Sequence, residues 1–467
     1  MQTPQCLPAR RACIALWAAC AALLAAVRLC HLRVLWADEA YGLAAARRLL
    51  EGAVLYRDVW FDKPPLYAWI YLAWGAQIGW PLRLGGALFA LLCCWLAART
   101  AARLFGEREA RIAAIAMAFF LSFDHPSAII SLAPDLLLTP FALGGVWAAA
   151  AGRPALGGAC VAAGLLAHSK GALLLLVVLA WQPSRWRSIL AGYAGALAVV
   201  LLLARGWGEP VWRWGLLYAR DSFLSDPVLE GLRRSANWAG FHAALLIPAG
   251  SFFLRSQRLR ARLALWLLLA MAAAAAGARF FPRYYVVLLP PLVLAAARGL
   301  SVTQRPWLRV ATAAALLVPA IRFGSKHVGT WLERPAAMRD LALFADCREA
   351  AAIIRALAKP GDTLLVWGYR PELNVLAGLR GATPFMDSQP LTGVLADRHL
   401  RSSRATAAAL ARRNRLELAG THPDFIADGL GPLNPELAIG RFDDLAPWLA
   451  RYQPVARTRA TWIYRRR

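Results

Sequence analysis

The sequence has 467 residues, of which 59% are hydrophobic and 17% charged, against about 25% charged residues in ordinary soluble domains. This composition excludes an ordinary soluble protein and indicates a membrane protein. In a soluble protein, a net charge of +26 would indicate binding to nucleic acid. Here many arginines lie in short loops between apolar segments, where they set orientation and attract anionic lipid, so we expect no nucleic-acid partner.

The apolar segments predict a polytopic helical membrane protein. Segments of spanning length, roughly 20 residues each, recur from about residue 12 to about residue 322. We interpret 12–31 as the first span rather than a cleaved signal peptide, because it is long and lacks a clean small-residue cleavage site. Short basic loops are assigned to the cytoplasm: 98–111, 151–155, 183–188, 254–263 and 298–309. The assignment needs about eleven spans and puts the C-terminal tail outside the cell inner membrane.

Two stretches depart from simple spans. Residues 65–79 are short and rich in Trp and Tyr, which favours a juxtamembrane or re-entrant helix on the outer side. The pair 154–169 and 171–183 is also short and is broken at Lys170-Gly171.

The tail predicts a small extracytoplasmic α/β domain over 335–467, after a membrane domain over 1–330 whose first outer loop is 32–64. Apolar runs predict strands at 361–368, 423–429 and 460–466, alternating with helical patterns. The helices are predicted at 344–358 and 443–452. Of eight cysteines only Cys347 lies in the tail, and without a C-x-x-C pair we expect neither disulfides nor a zinc motif.

Polar residues predicted on the outer face are the candidates for a functional site, because charges near hydrocarbon are costly. They combine carboxylates with cations, whereas the inner loops carry mostly arginine. These residues are Asp38, Glu39, Arg57, Asp58, Asp62, Lys63, Asp124, His125, Asp135, His168, Lys170, Arg279, Arg283, Tyr284 and Tyr285.

Their chemistry suits a phosphate held at a lipid surface. Lys63, Lys170, Arg279 and Arg283 are cations that can clamp a phosphate, Arg as a bidentate fork and Lys as a point charge. A carboxylate such as Asp38 can then act as general base on an acceptor hydroxyl or amine. Sugar transfer from a polyprenyl-phosphate donor would use the cations to stabilise the charge of the leaving group.

Four stretches in this order resemble the type C glycosyltransferases (GT-C): "WADEAYGLAAARRLLEG" with "DVWFDKPPL", the isolated Asp135, "GLLAHSKGALLLL" and "RFFPRYYVVLLPPL". The sequence is most similar to bacterial members of the protein O-mannosyltransferase family, glycosyltransferase family 39-like, which includes the aminoarabinose transferase that modifies lipid A. The resemblance covers roughly residues 12–322. The Asp-Glu pair and the Lys-Pro-Pro motif are specific only in combination.

The resemblance implies roles for individual residues. Asp38 matches the essential first-loop acid with Glu39 as its companion, and Asp135 matches the second acid. Lys63 matches a lysine that holds the lipid phosphate. Arg279 or Arg283, together with Tyr284, matches the residues on the phosphate side, where the charge of Lys170 also places it. Gly42 departs from the family, where a second aromatic often follows the acidic pair, and the tail is short, so the acceptor and metal use stay open; a divalent metal, if any, would involve Asp38 and Asp135.

Structural explanations remain open for several of these residues. Asp38 and Glu39 can cap the helix that follows them, and Lys63 and Lys170 can extend from the apolar region to the interface. His125 and His168 are more often hydrogen-bonded structural residues than ligands. Arg57, Asp58 and Asp62 can form a solvated loop surface.

Two other functions compete with a hexosyl- or pentosyltransferase. A transporter or flippase of a lipid-linked substrate would explain the broken helix pair, but no internal repeat relates two halves. A sensor or assembly protein would work through the tail, whose strands carry no nucleophile elbow, phosphate loop or metal spacing. The sequence leaves the sugar, polyprenol and acceptor (lipid, glycan or protein) unspecified.

Overall fold

The structure is a computed structural model that describes residues 6–204, 213, 227–255, 259–334 and 338–467. The described residues divide into two compact units. Among the described residues, the helical unit consists of 6–33, 78–203, 227–255 and 259–333. Among the described residues, the α/β unit consists of 34–77, 204, 213, 334 and 338–467. Residues 256–258 of the basic loop predicted at 254–263, and the start of the predicted tail domain at 335–337, lie outside the described residues.

The helical unit is built from apolar helices joined by short turns. Its α-helices are Cys6–Leu29, Trp80–Leu104, Glu107–Phe120, Pro126–Ile129, Pro134–Ala150, Pro154–Ala167, Ala172–Trp181, Trp186–Ala204, Pro227–Phe241, Ala243–Arg255, Arg260–Ala275, Leu289–Val302 and Pro306–Trp331. Tighter 3₁₀ turns connect some of them at Ser169–Gly171, Pro183–Arg185 and Pro282–Leu288.

Several of these helices have the length and composition of membrane spans. Within the described part of the chain, 5 helical stretches are long and apolar enough to cross a bilayer. They are Arg11–Leu29, Trp80–Leu104, Pro183–Leu202, Pro282–Val302 and Pro306–Trp331. Shorter apolar helices accompany them, and the total of about eleven spans stays a prediction.

Buried polar side chains tie the helix ends of this unit together. The guanidinium of Arg28 is fully buried and donates to the carbonyl oxygens of Leu24 at 3.3 Å and Ile129 at 2.9 Å. His31 and His327 share a hydrogen bond of 2.8 Å between their rings. Each of these groups would be costly if it were left unpaired away from water, so the contacts fix how the helix ends pack.

The α/β unit contains a five-stranded sheet. Its strands are β1 (Thr363–Trp367), β2 (Arg380–Gly381), β3 (Phe425–Asp428), β4 (Tyr452–Arg457) and β5 (Trp462–Arg466). The order is β2-β1-β3-β5-β4, with β1 parallel to β2 and β3, and β5 antiparallel to β3 and β4. The register pairs Leu364 with Phe425 in β1 and β3, and Ile426 with Tyr464 in β3 and β5.

The α/β unit also contains helices, and some of them pack against both faces of the sheet. Its helices are Ala37–Leu50, Leu66–Trp69, Arg339–Leu357, Pro371–Leu376, Gln389–Thr392, Ala408–Ala419 and Ala446–Leu449, with 3₁₀ turns at Ile70–Trp74, Pro435–Leu437, Ile439–Arg441 and Asp443–Leu445. Arg339–Leu357 packs on one face, and Ala408–Ala419 and Ala446–Leu449 pack on the other. Alternate residues of β1 enter opposite cores, Leu365 and Trp367 on one face, Leu364 and Val366 on the other. Both faces of the central strands are therefore buried, as parallel strands require.

Most of the elements predicted in the tail are confirmed. Strands form within each of the three predicted stretches, and the helix predicted at 344–358 is the longer Arg339–Leu357. The helix predicted at 443–452 is wrong in its last part, because Ala446–Leu449 ends early and Tyr452 begins β4. Strand β4 carries Pro454 and lies at the sheet edge, where a residue without an N–H is tolerated.

The first-loop residues fold with the tail rather than with the helices that surround them in sequence. Residues 34–77 belong to the α/β unit. The stretch predicted as a short outer helix at 65–79 forms the helix Leu66–Trp69 and the 3₁₀ turn Ile70–Trp74 within that unit. It is too short to cross a bilayer.

Candidate functional site

An ion cluster centred on Asp135 lies in the helical unit. Asp135 is the second residue of the helix Pro134–Ala150, and its side chain is 2% exposed. Lys170 Nζ lies 2.6 Å from Asp135 Oδ1, and Arg283 Nε lies 3.9 Å from Asp135 Oδ2. His168 Nε2 lies 3.4 Å from Asp135 Oδ1. The fold therefore brings together three predicted site residues, with His168 as an additional partner.

The break between two short helices places Lys170 in this cluster. The helix Pro154–Ala167 ends at His168, whose Nδ1 accepts the backbone N–H of Lys170 at 3.1 Å. A Cβ on Gly171 would lie 2.5 Å from the backbone carbonyl carbon of Gly164. Because backbone cannot yield as a flexible side chain does, the turn needs glycine at this position. The Lys-Gly pair seen in the sequence is thus a cation fixed by a tight turn.

An aromatic ring joins the two cations of the cluster. Lys170 Nζ lies 3.4 Å from the centroid of the Tyr284 ring, and the Arg283 guanidinium carbon lies 5.4 Å from it. The same guanidinium carbon lies 5.2 Å from the ring centroid of Phe281. The negative face of an aromatic ring attracts a cation, so Tyr284 and Phe281 hold the two positive groups in place.

The cations of the cluster can receive an anion. Lys170 and Arg283 are positively charged and lie beside the carboxylate of Asp135. The side chain of Lys170 is 9% exposed and that of Arg283 is 29% exposed. An incoming anion therefore meets Arg283 at the surface, with Lys170 behind it on the carboxylate of Asp135. A phosphate in this position would receive charge-assisted hydrogen bonds.

An apolar cavity adjoins Lys170. It is partly open to its surroundings, and Lys170 is the one charged residue among the described residues that line it. The remaining lining is apolar apart from Thr139, and it includes Leu174, Trp266 and Pro290. A cavity with a hydrocarbon wall and a cation at one side fits a molecule with an apolar chain and an anionic head.

Arg279 and Tyr285 lie in the same stretch of sequence as Arg283, but they contact residues outside the Asp135 cluster. Arg279 is buried, and its carbonyl oxygen accepts from Arg234 at 2.8 Å. The Tyr285 hydroxyl shares a hydrogen bond of 2.8 Å with Ser235. Tyr285 also stacks on Trp238, with ring centroids 5.3 Å apart. A role for Arg279 at the donor phosphate stays a prediction.

Asp124 and His125 have partners of their own. Asp124 Oδ2 lies 3.3 Å from Nε2 of the buried His242, and His125 Nδ1 shares a 2.8 Å hydrogen bond with Ser127 Oγ. These contacts agree with the structural interpretation of His125 that the sequence favoured.

Asp38 and Glu39 begin the helix Ala37–Leu50 of the α/β unit. Glu39 is fully buried, and its Oε1 accepts the backbone N–H of Trp36 at 3.1 Å. This contact satisfies a free N–H at the helix start, which gives Glu39 a capping role. Asp38 is half-buried and stands in the first turn, where a negative charge is favourable. Catalytic roles for both stay predictions.

A buried carboxyl from the tail faces Asp38. Burial raises the pKa of Glu372 to about 7, and the charges of Asp340 and Asp38 act in the same direction while Arg370 opposes them. Glu372 therefore titrates near neutral pH. No motif in the sequence marks Glu372 as a neighbour of Asp38, because Glu372 lies in a short helix without special pattern, Pro371–Leu376.

Lys63 forms an ion pair with the residue before it. Its Nζ lies 2.8 Å from Oδ2 of Asp62, which is buried, while the Lys63 side chain is 33% exposed. The Tyr56 hydroxyl donates to the carbonyl oxygen of Lys63 at 2.8 Å. Arg57 and Asp58 instead form an exposed pair at 2.7 Å, as expected for a loop surface.

The first-loop residues are anchored on the tail by backbone and side-chain hydrogen bonds. The Trp60 N–H donates to the carbonyl oxygen of Pro384 at 2.9 Å. Arg48 donates to the carbonyl oxygen of Thr383 at 3.1 Å. These contacts join residues more than 300 positions apart in sequence, which no local pattern can predict.

Gly42, the departure from the family pattern, has a steric cause. A Cβ at this position would lie 2.8 Å from ring atoms of both Tyr67 and Tyr71. The two tyrosines therefore fill the space that a second aromatic side chain would need. Tyr41, one residue earlier, stacks on Phe61 with ring centroids 5.1 Å apart.

The described residues offer no preformed metal site. Among them, no group of three or more His, Cys, Asp or Glu side chains is placed to hold an ion. Asp135 faces Lys170 and Arg283, and these cations already neutralise its carboxylate. The conditional role of Asp135 as a metal ligand therefore does not fit its surroundings.

The chain is similar to known proteins in part of its sequence and in its fold. Residues 62–207 match the family model of dolichyl-phosphate-mannose-protein mannosyltransferase. None of the curated protein sequences matches the chain.

Two crystal structures of ArnT from Cupriavidus metallidurans share the fold. The apo structure has a TM-score of 0.60 at 17% identity and covers 98% of each chain. The structure bound to undecaprenyl phosphate has a TM-score of 0.58 at 16% identity and covers 97% of each chain. The predicted architecture, apolar helices followed by a small C-terminal α/β domain, is confirmed, and the chain shares the fold of these two structures.

Proposed function

We propose that this chain, which has the GT-C fold of ArnT and a segment of the mannosyltransferase family, transfers a sugar from a polyprenyl-phosphate donor to an acceptor. The observation that carries the proposal is the pairing of Lys170 and Arg283 around Tyr284, beside an apolar cavity. The reaction takes place on the outer face of the cell inner membrane. The sugar is a hexose or a pentose, and the acceptor is a lipid, a glycan or a protein.

The cavity and the cations match the two ends of such a donor. The isoprenoid chain has no polar atoms and gains free energy from apolar surroundings, about 25 cal/mol for each Å² that it buries. The phosphate needs cations that are held in place before it arrives. Undecaprenyl phosphate is the ligand in one of the ArnT structures with this fold, which supports the same class of donor here.

The cations would act most strongly as the glycosidic bond breaks. The acceptor's nucleophilic atom attacks the anomeric carbon of the sugar, and the bond from that carbon to the phosphate oxygen breaks. Negative charge then grows on the leaving polyprenyl phosphate. Arg283 and Lys170 stabilise this charge, and Asp135 keeps Lys170 positioned for it.

Asp38 is the proposed general base, in line with the resemblance of the first-loop motif. It is half-buried, so an acceptor can reach it, and it takes the proton from the acceptor hydroxyl or amine as the new bond forms. Lys63 is proposed as a further partner of the donor phosphate, and Glu39 supports Asp38 by fixing the helix start.

Transfer and flipping give different products in liposomes. We expect purified protein, reconstituted with a polyprenyl-phosphate sugar, to consume the donor only when envelope lipid or glycan is present as acceptor. Mass spectrometry should then detect a new glycoconjugate and free polyprenyl phosphate. Movement of the intact donor across the bilayer, with no new glycosidic bond, would show that the protein is a flippase instead.

The orientation of the chain can be measured by cysteine labelling. In a cysteine-free background, Glu436→Cys in the tail should react with a membrane-impermeant maleimide applied to intact spheroplasts, because this position is exposed in the fold. Arg108→Cys, exposed in a predicted cytoplasmic loop, is the matched control and should react only after permeabilisation. A protected Glu436→Cys would contradict the outer location of the tail.

A further inference from the structure

Lys63 is held by a chain of contacts that begins in the tail. Asp62 Oδ2 lies 2.8 Å from Lys63 Nζ and 3.5 Å from Gln389 Nε2. The backbone N–H of Gln389 donates to Asp387 Oδ1 at 2.7 Å. Asp387 and Gln389 are 1% and 2% exposed, so neither has a role at the surface.

The orientation of the Gln389 side chain is set by its second contact. Its Oε1 accepts the backbone N–H of Ala396 at 2.8 Å. An amide whose oxygen is used in this way presents its NH₂ group on the other side, where Asp62 lies. The long contact of 3.5 Å is therefore directed, although it is weak by distance.

The turn that carries Gln389 is itself held by hydrogen bonds from a neighbouring helix. Asn414 Nδ2, on the helix Ala408–Ala419, donates to the carbonyl oxygen of Pro390 at 2.8 Å. Arg415 on the same helix donates to the carbonyl oxygen of Leu391 at 2.7 Å. The contacts between this helix and Lys63 are thus short and buried or part-buried, except for the long contact of 3.5 Å at Asp62.

We propose that Asp387 and Gln389 are positioning residues for Lys63, acting through Asp62 to hold its ammonium group ready for the phosphate of the lipid-linked donor. The inference rests on the proposed function, in which Lys63 contacts that phosphate. It gives the C-terminal part of the chain a defined task in donor recognition.

The charge state of Asp387 decides how firmly Lys63 is held. Burial raises the pKa of Asp387 to about 7, with the charge of Asp62 adding to the rise and that of Lys63 opposing it. Tyr41, from the helix Ala37–Leu50, faces the same two carboxyl groups. As the pH rises through about 7, Asp387 becomes negatively charged and then competes with the donor phosphate for Lys63.

Gln389→Glu tests the long contact between Gln389 and Asp62. The variant keeps the size of the side chain and the oxygen that accepts from Ala396, but it places a carboxylate oxygen against Asp62. We expect the Kd for undecaprenyl phosphate and the KM for the sugar donor to rise about threefold to tenfold, with kcat at saturating donor unchanged. Gln453→Glu is the matched control, since it makes the same change of side chain and charge at an exposed position of strand β4, and its donor KM should stay at the wild-type value.

Asp387→Asn tests whether the negative charge of Asp387 weakens donor binding. It mimics the protonated acid at every pH, so the ratio of wild-type to variant Kd should be near one at pH 6 and rise above one by pH 8. The ratio removes the effect of protonation of the ligand's phosphate, because that protonation changes both Kd values by the same factor. A flat ratio, together with a Gln389→Glu variant that binds like wild type, overturns the inference.

The measurements distinguish a wrong positioning role for Asp387 and Gln389 from a wrong proposed function. If the wild-type protein binds and transfers the donor while both variants match it, the positioning role is wrong and the proposed function stands. If the wild-type protein neither binds undecaprenyl phosphate nor transfers sugar, the proposed function is wrong and the inference falls with it. Thermal unfolding of each variant, with a Tm close to wild type, shows that the compared proteins are folded.

Discussion

Replacing Asp38 by asparagine is expected to lower kcat for sugar transfer by about 10²–10⁴-fold, the usual effect of losing a general base. Asparagine keeps the size of the side chain and its favourable place at the start of the helix Ala37–Leu50, but it cannot take a proton. Expression and Tm should therefore stay close to wild type. The measurement is the initial rate of glycoconjugate formation by the purified variant at saturating donor.

Asp58→Asn is the control for this result. Asp58 lies in the same first-loop segment, but it pairs with Arg57 at the surface and its Oδ2 accepts the N–H of Val54 at 2.8 Å. This variant should keep the wild-type kcat. Full activity of Asp38→Asn would mean that Asp38 serves only the helix start.

Arg283→Ala is expected to weaken donor binding about tenfold to a hundredfold, because a charge-assisted contact contributes about 1.5–3 kcal/mol. The stability of the protein should change little, because the buried carboxylate of Asp135 keeps its closer partner. Lys170 lies 2.6 Å from Asp135, whereas Arg283 lies 3.9 Å from it. The affinity for undecaprenyl phosphate, measured by calorimetry in detergent, gives the effect directly.

Arg298→Ala provides the comparison for Arg283→Ala. Arg298 has similar exposure, 34% against 29%, and belongs to the same helical unit, where it pairs with Glu109 at 2.7 Å. Its removal should leave donor affinity unchanged. Equal losses in both variants would mean that arginine removal perturbs the unit in general and that Arg283 has no special contact with phosphate.

The sequence predicts local features of this protein well because their causes are local. Strands β1, β3 and β5 arise from short apolar runs, and the turn at Lys170-Gly171 from a glycine that alone fits against Gly164. Strand β4 escaped prediction because its exposed edge residues and Pro454 lack the apolar alternation of a strand.

The residues of the candidate site also fall into those that local motifs predict and those that depend on tertiary contacts. Asp135, Lys170, Arg283 and Tyr284 were chosen from motifs, and the fold gathers them. Glu372, Asp387 and Gln389 were missed, because their surroundings are created by tertiary contacts with residues several hundred positions away. Burial of such groups is decided only when the whole unit is assembled.

The union of residues 34–77 with the tail has a consequence for biosynthesis. Arg48 is translated early, yet its partner Thr383 is 335 residues later. Contacts of such sequence separation form slowly, and the chain is made from its N-terminus at about 5–20 residues per second. The loop with Asp38 and Lys63 must therefore wait in an unfinished state while the intervening helices are synthesised. Ribosome-stalled chains that end before residue 383 should carry this loop open to protease, and release of the complete chain should close it.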